Sequence, residues 1–136
     1  RNFDCNWAPE STWRGNVVSA GTGPFSEPEA AALRDYVLAN DPAAAVVWFS
    51  QEGMVYPSAC GGSPSAASIA LANTFATAAD YPTEVEFDAY AITGDMVNWM
   101  AGEGIPAISV LLSDHQSPEL AKNLAGIEAV LNQYAE

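Results

Sequence analysis

Few side chains in this 136-residue chain have the types and spacing that do chemistry. Ser113-Asp114-His115 holds a nucleophile, an acid and a base, and His115 is the single histidine. Neighbours in sequence point in different directions, and no Gly-x-Ser-x-Gly turn is present to raise a nucleophile. The run therefore reads as a surface histidine in a loop. Glu84-Val85-Glu86-Phe87-Asp88-Ala89-Tyr90 alternates acids with apolar residues, which in extended backbone sets three carboxylates on one face about 7 Å apart. Calcium takes six to eight converging oxygens, so an exposed strand face or loop is the preferred reading and a weak calcium site the lesser one. Cys5 and Cys60 sit in no Cys-x-x-Cys context and have no histidine beside them, which argues against a metal pair. They are either buried thiols or one long-range disulfide, and the disulfide is preferred.

The element that would position a site is Ala43–Phe49, an unbroken apolar run rich in β-branched and aromatic residues. It suits a strand buried on both faces in the middle of a parallel sheet. Ligands in open α/β sheets bind beyond the carboxyl ends of such strands, here Trp48 to Glu52. Trp48-Phe49-Ser50-Gln51 offers no tight metal ligand and no proton acceptor. Ahead of the run, residues 1–23 read as loop, punctuated by Pro9, Gly15, Gly21 and Gly23. Ser26-Glu27-Pro28-Glu29 reads as a capping box opening a helix with Leu33, Tyr36 and Val37 as its stripe, ended by Asn40-Asp41-Pro42. Gly53–Pro57 is a short extended piece. Ser65–Ala79 is a helix with Ile69, Ala72, Phe75 and Ala76 on its buried face, and Gly94–Gly104 reads as a short helix capped near Thr93 or Asp95. Ile105–Leu112 is a second buried strand. Ser117-Pro118-Glu119 caps a last helix with Leu120, Leu124, Ile127 and Leu131 on one face. Helices alternating with apolar strands predict an α/β fold, a small mostly parallel sheet flanked by helices.

Residues 1–136 are one domain by length, and the content of 49% hydrophobic and 10% aromatic residues predicts a packed core. Seventeen acids face Arg1, Arg14, Arg34 and Lys122, a net charge of −13. That excludes nucleic acid as a natural partner, since phosphate binding needs a cationic face, and it suits a soluble, secreted protein. No apolar run approaches the roughly 18 residues of a membrane span. An opening Arg in place of Met reads as a processed or excised chain.

Several blocks occur together in one family: Arg1-Asn2-Phe3, Pro24-Phe25-Ser26-Glu27-Pro28-Glu29, the strand ending at Ser50 with Tyr56 after it, Gly94–Trp99, and Ile105-Pro106-Ala107-Ile108. In this order the chain resembles the C-terminal half of the zinc carboxypeptidases (M14, the carboxypeptidase A type) over nearly its whole length. The resemblance implies zinc-assisted amide hydrolysis, with two His and one Glu on the metal, a Glu as general base, and Arg and Asn holding the substrate carboxylate. The family's first two ligands lie upstream of the Arg-Asn block and outside this chain. Its third ligand position is Phe49 (or Trp48 with a one-residue shift), its general-base position is Leu111, and its Asp before the Trp is Asn98. Arg1 and Asn2 match the carboxylate-holding pair, and Tyr90 matches a substrate-contacting Tyr.

These matches predict a truncated carboxypeptidase-like domain without zinc, cofactor or catalysis. It would be extracellular and act in structure or association, as a homo-oligomer or polymer through an exposed sheet edge. The alternatives are a binder of peptide C-terminal carboxylates at Arg1, Asn2 and Tyr90, or a fragment of a zinc carboxypeptidase.

Overall fold

The computed structural model describes residues 2–13 and 15–135. It opens with an antiparallel hairpin, β1 (Glu10–Trp13) and β2 (Asn16–Ser19), where the sequence suggested only loop. Two residues separate the strands, and Gly15 at φ +79° supplies the backbone that such a tight connection needs.

Helix α1 (Pro28–Asn40) starts within the expected capping box, one residue later than a Ser26 cap would place it. Glu27 is the N-cap without a side-chain bond, and the Ser26 hydroxyl instead donates to Glu27 Oε1 and accepts from Thr22 N. Proline in the first turn loses no helical hydrogen bond there. Of the expected stripe only Val37 is buried, joined by Ala30, while Leu33 and Tyr36 are exposed.

The main sheet holds β3 (Ala45–Ser50), β4 (Met54–Pro57) and β5 (Ala107–Leu112) in the order β3-β5-β4. Strand β3 runs parallel to β5, with Ala45 opposite Ala107 and Phe49 opposite Leu111, and β4 runs antiparallel to β5. The sheet is therefore mixed. Strand β3, whose apolar sequence suits a middle strand, is an edge strand, and Trp48 and Phe49 are exposed. The outer edge of β4 is covered instead: Val55 N donates to Pro82 O, and Val55 O accepts from Glu84 N and Thr83 Oγ1.

Helices cover both faces. On one, α2 (Ala66–Ala79) brings Leu71, Ala72 and Phe75 against Val55, Ile108 and Val110, with Val130 of α4 (Leu120–Tyr134) completing the cluster. Ser65 caps α2, accepting from Ser68 N at 3.0 Å. On the other face α3 (Met96–Gly102) packs Val97, Trp99 and Met100 with Phe3, Val37 and Ala107. The rings of Phe3, Phe25 and Trp99 meet pairwise at 5.4–5.5 Å. Cys5 and Cys60 form a disulfide that ties the N-terminal segment to the turn after β4.

Of its expected inward stripe, helix α4 keeps Ile127 against the core and leaves the three leucines outside. It starts at Leu120, with Glu119 at the N-cap in left-handed backbone, and Ser117 Oγ accepts from Glu119 N. Its buried residues are Asn123, Gly126 and Val130, while Leu120, Leu124 and Leu131 are exposed. Gly126 lets α4 come down on Phe75, whose ring atoms lie 2.7–2.8 Å from where a Cβ would stand.

Candidate functional site

Alternation along the strands sends Val46 and Trp48 toward α4, and Val47 and Phe49 toward the α3 side. On that side, beyond the carboxyl ends of β3 and β5, lies an open pocket of about 520 Å³. Phe49 and Leu111, register partners across the two strands, stand together in its wall with Ser50 and Ser109. Tyr56 of β4 closes one side. The 85–93 segment, which is irregular where the sequence allowed a strand, adds Val85, Phe87, Tyr90 and Ile92 to the lining. Tyr56, Phe87 and Tyr90 form an edge-to-face ladder with centroids 5.3 and 4.8 Å apart. The disulfide turn adds Gly61 and Gly62 to the rim.

The polar lining is committed to holding this shape. Asp95 caps α3 by accepting from Asn98 N at 3.0 Å, and burial pushes its carboxyl above the usual range. Asn98 Oδ1 accepts from Ala59 N at 3.3 Å, joining α3 to the segment after β4. Tyr56 donates to Glu52 Oε1 at 3.0 Å, and burial, this bond and the nearby carboxylates of Glu52, Glu84 and Asp88 push the phenol up to about 12. Among the described residues the charged groups lining the pocket are Glu86 and Asp95, both acids.

Of the expected substrate-holding residues, Asn2 and Tyr90 line different recesses. Arg1 lies outside the described residues. Asn2 is buried, and its amide donates to Ala20 O, Gly23 O and Ser26 Oγ while accepting from Glu27 N. These bonds hold the 20–27 segment at the start of α1, beside a second, shallow recess that Tyr90 does not line.

Ser113, Asp114 and His115 form no triad. Ser113 Oγ donates to Glu119 Oε1, and Asp114 Oδ1 accepts from Gln116 N and Ser117 N. His115 Nδ1 meets Ser50 Oγ at 2.6 Å, an exposed pair that sequence reasoning missed because 65 residues separate the two. No carboxylate among the described residues bonds the other ring nitrogen, so the pair lacks the third group that orients a catalytic base. The carboxylates of Glu84, Glu86 and Asp88 do not converge: the described residues contain no group of three or more His, Cys, Asp or Glu side chains able to hold a metal.

No protein-family model and no curated protein matches this chain. Solved structures do. The murein-tripeptide amidase MpaA from Escherichia coli O157 is 22% identical, with 95% of this chain and 54% of the amidase aligned at a TM-score of 0.70. Carboxypeptidase A from Helicoverpa armigera is 19% identical over 99% of this chain and 41% of the enzyme, at 0.76. Bovine thrombin-activatable fibrinolysis inhibitor is 20% identical over 98% of this chain and 55% of its own, at 0.77. The fold is that of the zinc carboxypeptidases of the M14 type. The chain spans about half the length of these structures, consistent with the C-terminal half that the motif order implies.

Proposed function

We propose that this chain is a non-catalytic, extracellular module of the carboxypeptidase fold that works by binding and not by hydrolysis. The observation that carries the reading is the Phe49–Leu111 pair. The resemblance puts a zinc ligand and the general base at these positions. In the fold they are register partners in the wall of one pocket. Phenyl and isobutyl side chains have no lone pair to give a metal and no site to take a proton from water, so the residues present do not fit zinc. An extracellular setting is supported by the Cys5–Cys60 disulfide, which persists in oxidising compartments.

The pocket also favours one ligand class over another. Its aromatic and aliphatic wall suits an apolar side chain. Glu86 and Asp95, with no described cation beside them, disfavour the peptide carboxylate considered from sequence. Uncharged or amidated aromatic peptides are the expected ligands.

Zinc titration by calorimetry, together with hydrolysis of a chromogenic C-terminal-Phe dipeptide, tests the reading. The expected result is no stoichiometric zinc uptake and no hydrolysis suppressed by chelator. One equivalent of zinc bound at micromolar or tighter affinity, with turnover lost on chelation, would overturn it. A C-terminally amidated peptide should bind at least as well as its free acid, and Leu111→Glu should weaken the binding.

A further inference from the structure

The Cys5–Cys60 bridge stands beside the pocket, and its two ends are held unequally. Cys5 is 3% exposed and belongs to the cluster of Phe3, Trp99 and Met100. Its backbone is pinned as well: Cys5 O accepts from Gly94 N at 2.9 Å, and Phe3 N donates to Gly94 O at 3.0 Å. Cys60 is exposed. Its Cβ and Sγ lie 3.0 and 3.5 Å from where a Cβ on Gly102 would stand, so it rests on the end of α3 with part of the residue in solvent.

Pocket-lining residues adjoin both ends. Asn6 follows Cys5, and Ser58, Ala59, Gly61, Gly62 and Pro64 lie around Cys60. Hydrogen bonds hold the start of this turn, from Ser58 N to Ala107 O at 3.0 Å and from Ala59 N to Asn98 Oδ1 at 3.3 Å. Ser65 fastens its end as the cap of α2. The bridge is the covalent tie between these points. Gly61 and Gly62 sit at φ +75° and +64°, and glycine has the most conformations to return to once a constraint is lifted. The turn is therefore the part that cutting the bridge frees first. The cluster of Leu71, Phe75 and Val110 on the other face contains neither cysteine.

Exchange needs a thiolate to reach a sulfur, and the exposed end directs attack to Cys60. A small thiol such as glutathione is the co-reactant. Its thiolate attacks Cys60 Sγ, the S–S bond breaks, and the electron pair leaves on Cys5 Sγ, which takes a proton. A second glutathione thiolate attacks the glutathione sulfur of the mixed disulfide and releases Cys60, which is protonated in turn. Two glutathione thiols become one disulfide, and the reverse exchange closes the bridge.

We infer that the bridge is a redox switch for the pocket: oxidised, it holds the rim in the shape that takes an amidated aromatic peptide, and reduced, it releases the rim and the peptide with it. The inference deepens the binding reading and rests on it, and it is independent of the zinc result.

Calorimetry with acetyl-Ala-Phe-amide tests it on the oxidised chain, on the chain in excess glutathione, and on Cys5→Ala/Cys60→Ala. The oxidised chain should bind, and the other two should lose about tenfold or more in affinity with their far-ultraviolet circular dichroism unchanged. Linkage is reciprocal, so saturating peptide should displace the glutathione ratio that half-reduces the bridge by the same factor, read by mass spectrometry. Amide exchange followed by NMR needs no ligand: reduction should speed exchange at Ala59 and Gly94 about tenfold or more and leave Phe75 and Val130 protected. Equal affinity in the two redox states would overturn the inference, as would a bridge that excess glutathione leaves intact. So would unchanged exchange at Ala59 and Gly94, or protection lost throughout, which would make the bridge a staple for the whole fold. An oxidised chain that binds no peptide refutes the binding reading, and the exchange pattern alone then decides whether the bridge controls the rim.

Discussion

At Gly126 a hydrogen is the only side chain that fits. Two effects compete in Gly126→Ala: alanine is better in a helix by about 1 kcal/mol, whereas overpacking a tight core costs about 1–3 kcal/mol. The obstacle is the ring of Phe75, which is fully buried and cannot swing aside, so the clash should win. Gly126→Ala should lower stability by about 1–2 kcal/mol, read as the midpoint of urea unfolding at unchanged slope. The same scale governs the pocket. Phe49 and Leu111 lie 62 positions apart in the sequence, and the parallel pairing of β3 with β5 sets them side by side.

Among the elements, the entry to α4 depends on one carboxylate. Glu119 accepts from Ser113 N and Tyr81 OH on Oε2, and from Ser113 Oγ on Oε1, so it ties the end of β5 to both α2 and α4. The backbone bond from Ser113 leads in holding its carboxyl below the usual value. Tyr81, pushed up to about 12 mainly by burial and then by this carboxylate, stays a donor throughout the working range. A depressed carboxyl stabilises the fold above its unfolded value, and that contribution is lost as pH falls through the folded value. Glu119→Gln puts an amide donor among donors and should cost about 1–2 kcal/mol at pH 7. Unfolding followed from pH 7 down to pH 3 should show the gap between wild type and variant closing as the carboxyl protonates. A constant gap would mean that shape, not charge, sets the contribution.

For the whole molecule, the Cys5–Cys60 bridge spans 55 residues and fastens the hairpin segment and α1 to the rim of the pocket. Reduction should cost on the order of 4 kcal/mol in the chain-entropy model, a large share of the stability of a small domain. Denaturant titration with and without reductant measures the loss, and intrinsic tryptophan fluorescence reports whether Trp99 loses its buried setting. The pocket should loosen before the α2–α4 side, because the bridge supports the turn carrying Gly61 and Gly62 and touches nothing in the α2 cluster.

Local signals in the chain were enough to locate most elements. Apolar runs bounded by Gly, Pro and Asp marked β3, β5 and α2. The serine at the start of α2 and Asp95 at α3 acted as caps because their side chains reach only their own next turn. Motif order was enough to indicate the carboxypeptidase fold. Features that need a distant partner were not legible. Ser26 was drawn from its capping role by Thr22 and the buried Asn2 amide, the hairpin rested on one glycine, and Ser50 met His115 only after the chain had folded. Most of all, hydrophobicity says that a surface should be covered, not which neighbour covers it. The sequence therefore shows β3 as a middle strand and the leucines of α4 as an inward stripe. The tertiary structure makes one an edge and the other an outer face, because Gly126 and Asn123 bring the opposite side of α4 against the core.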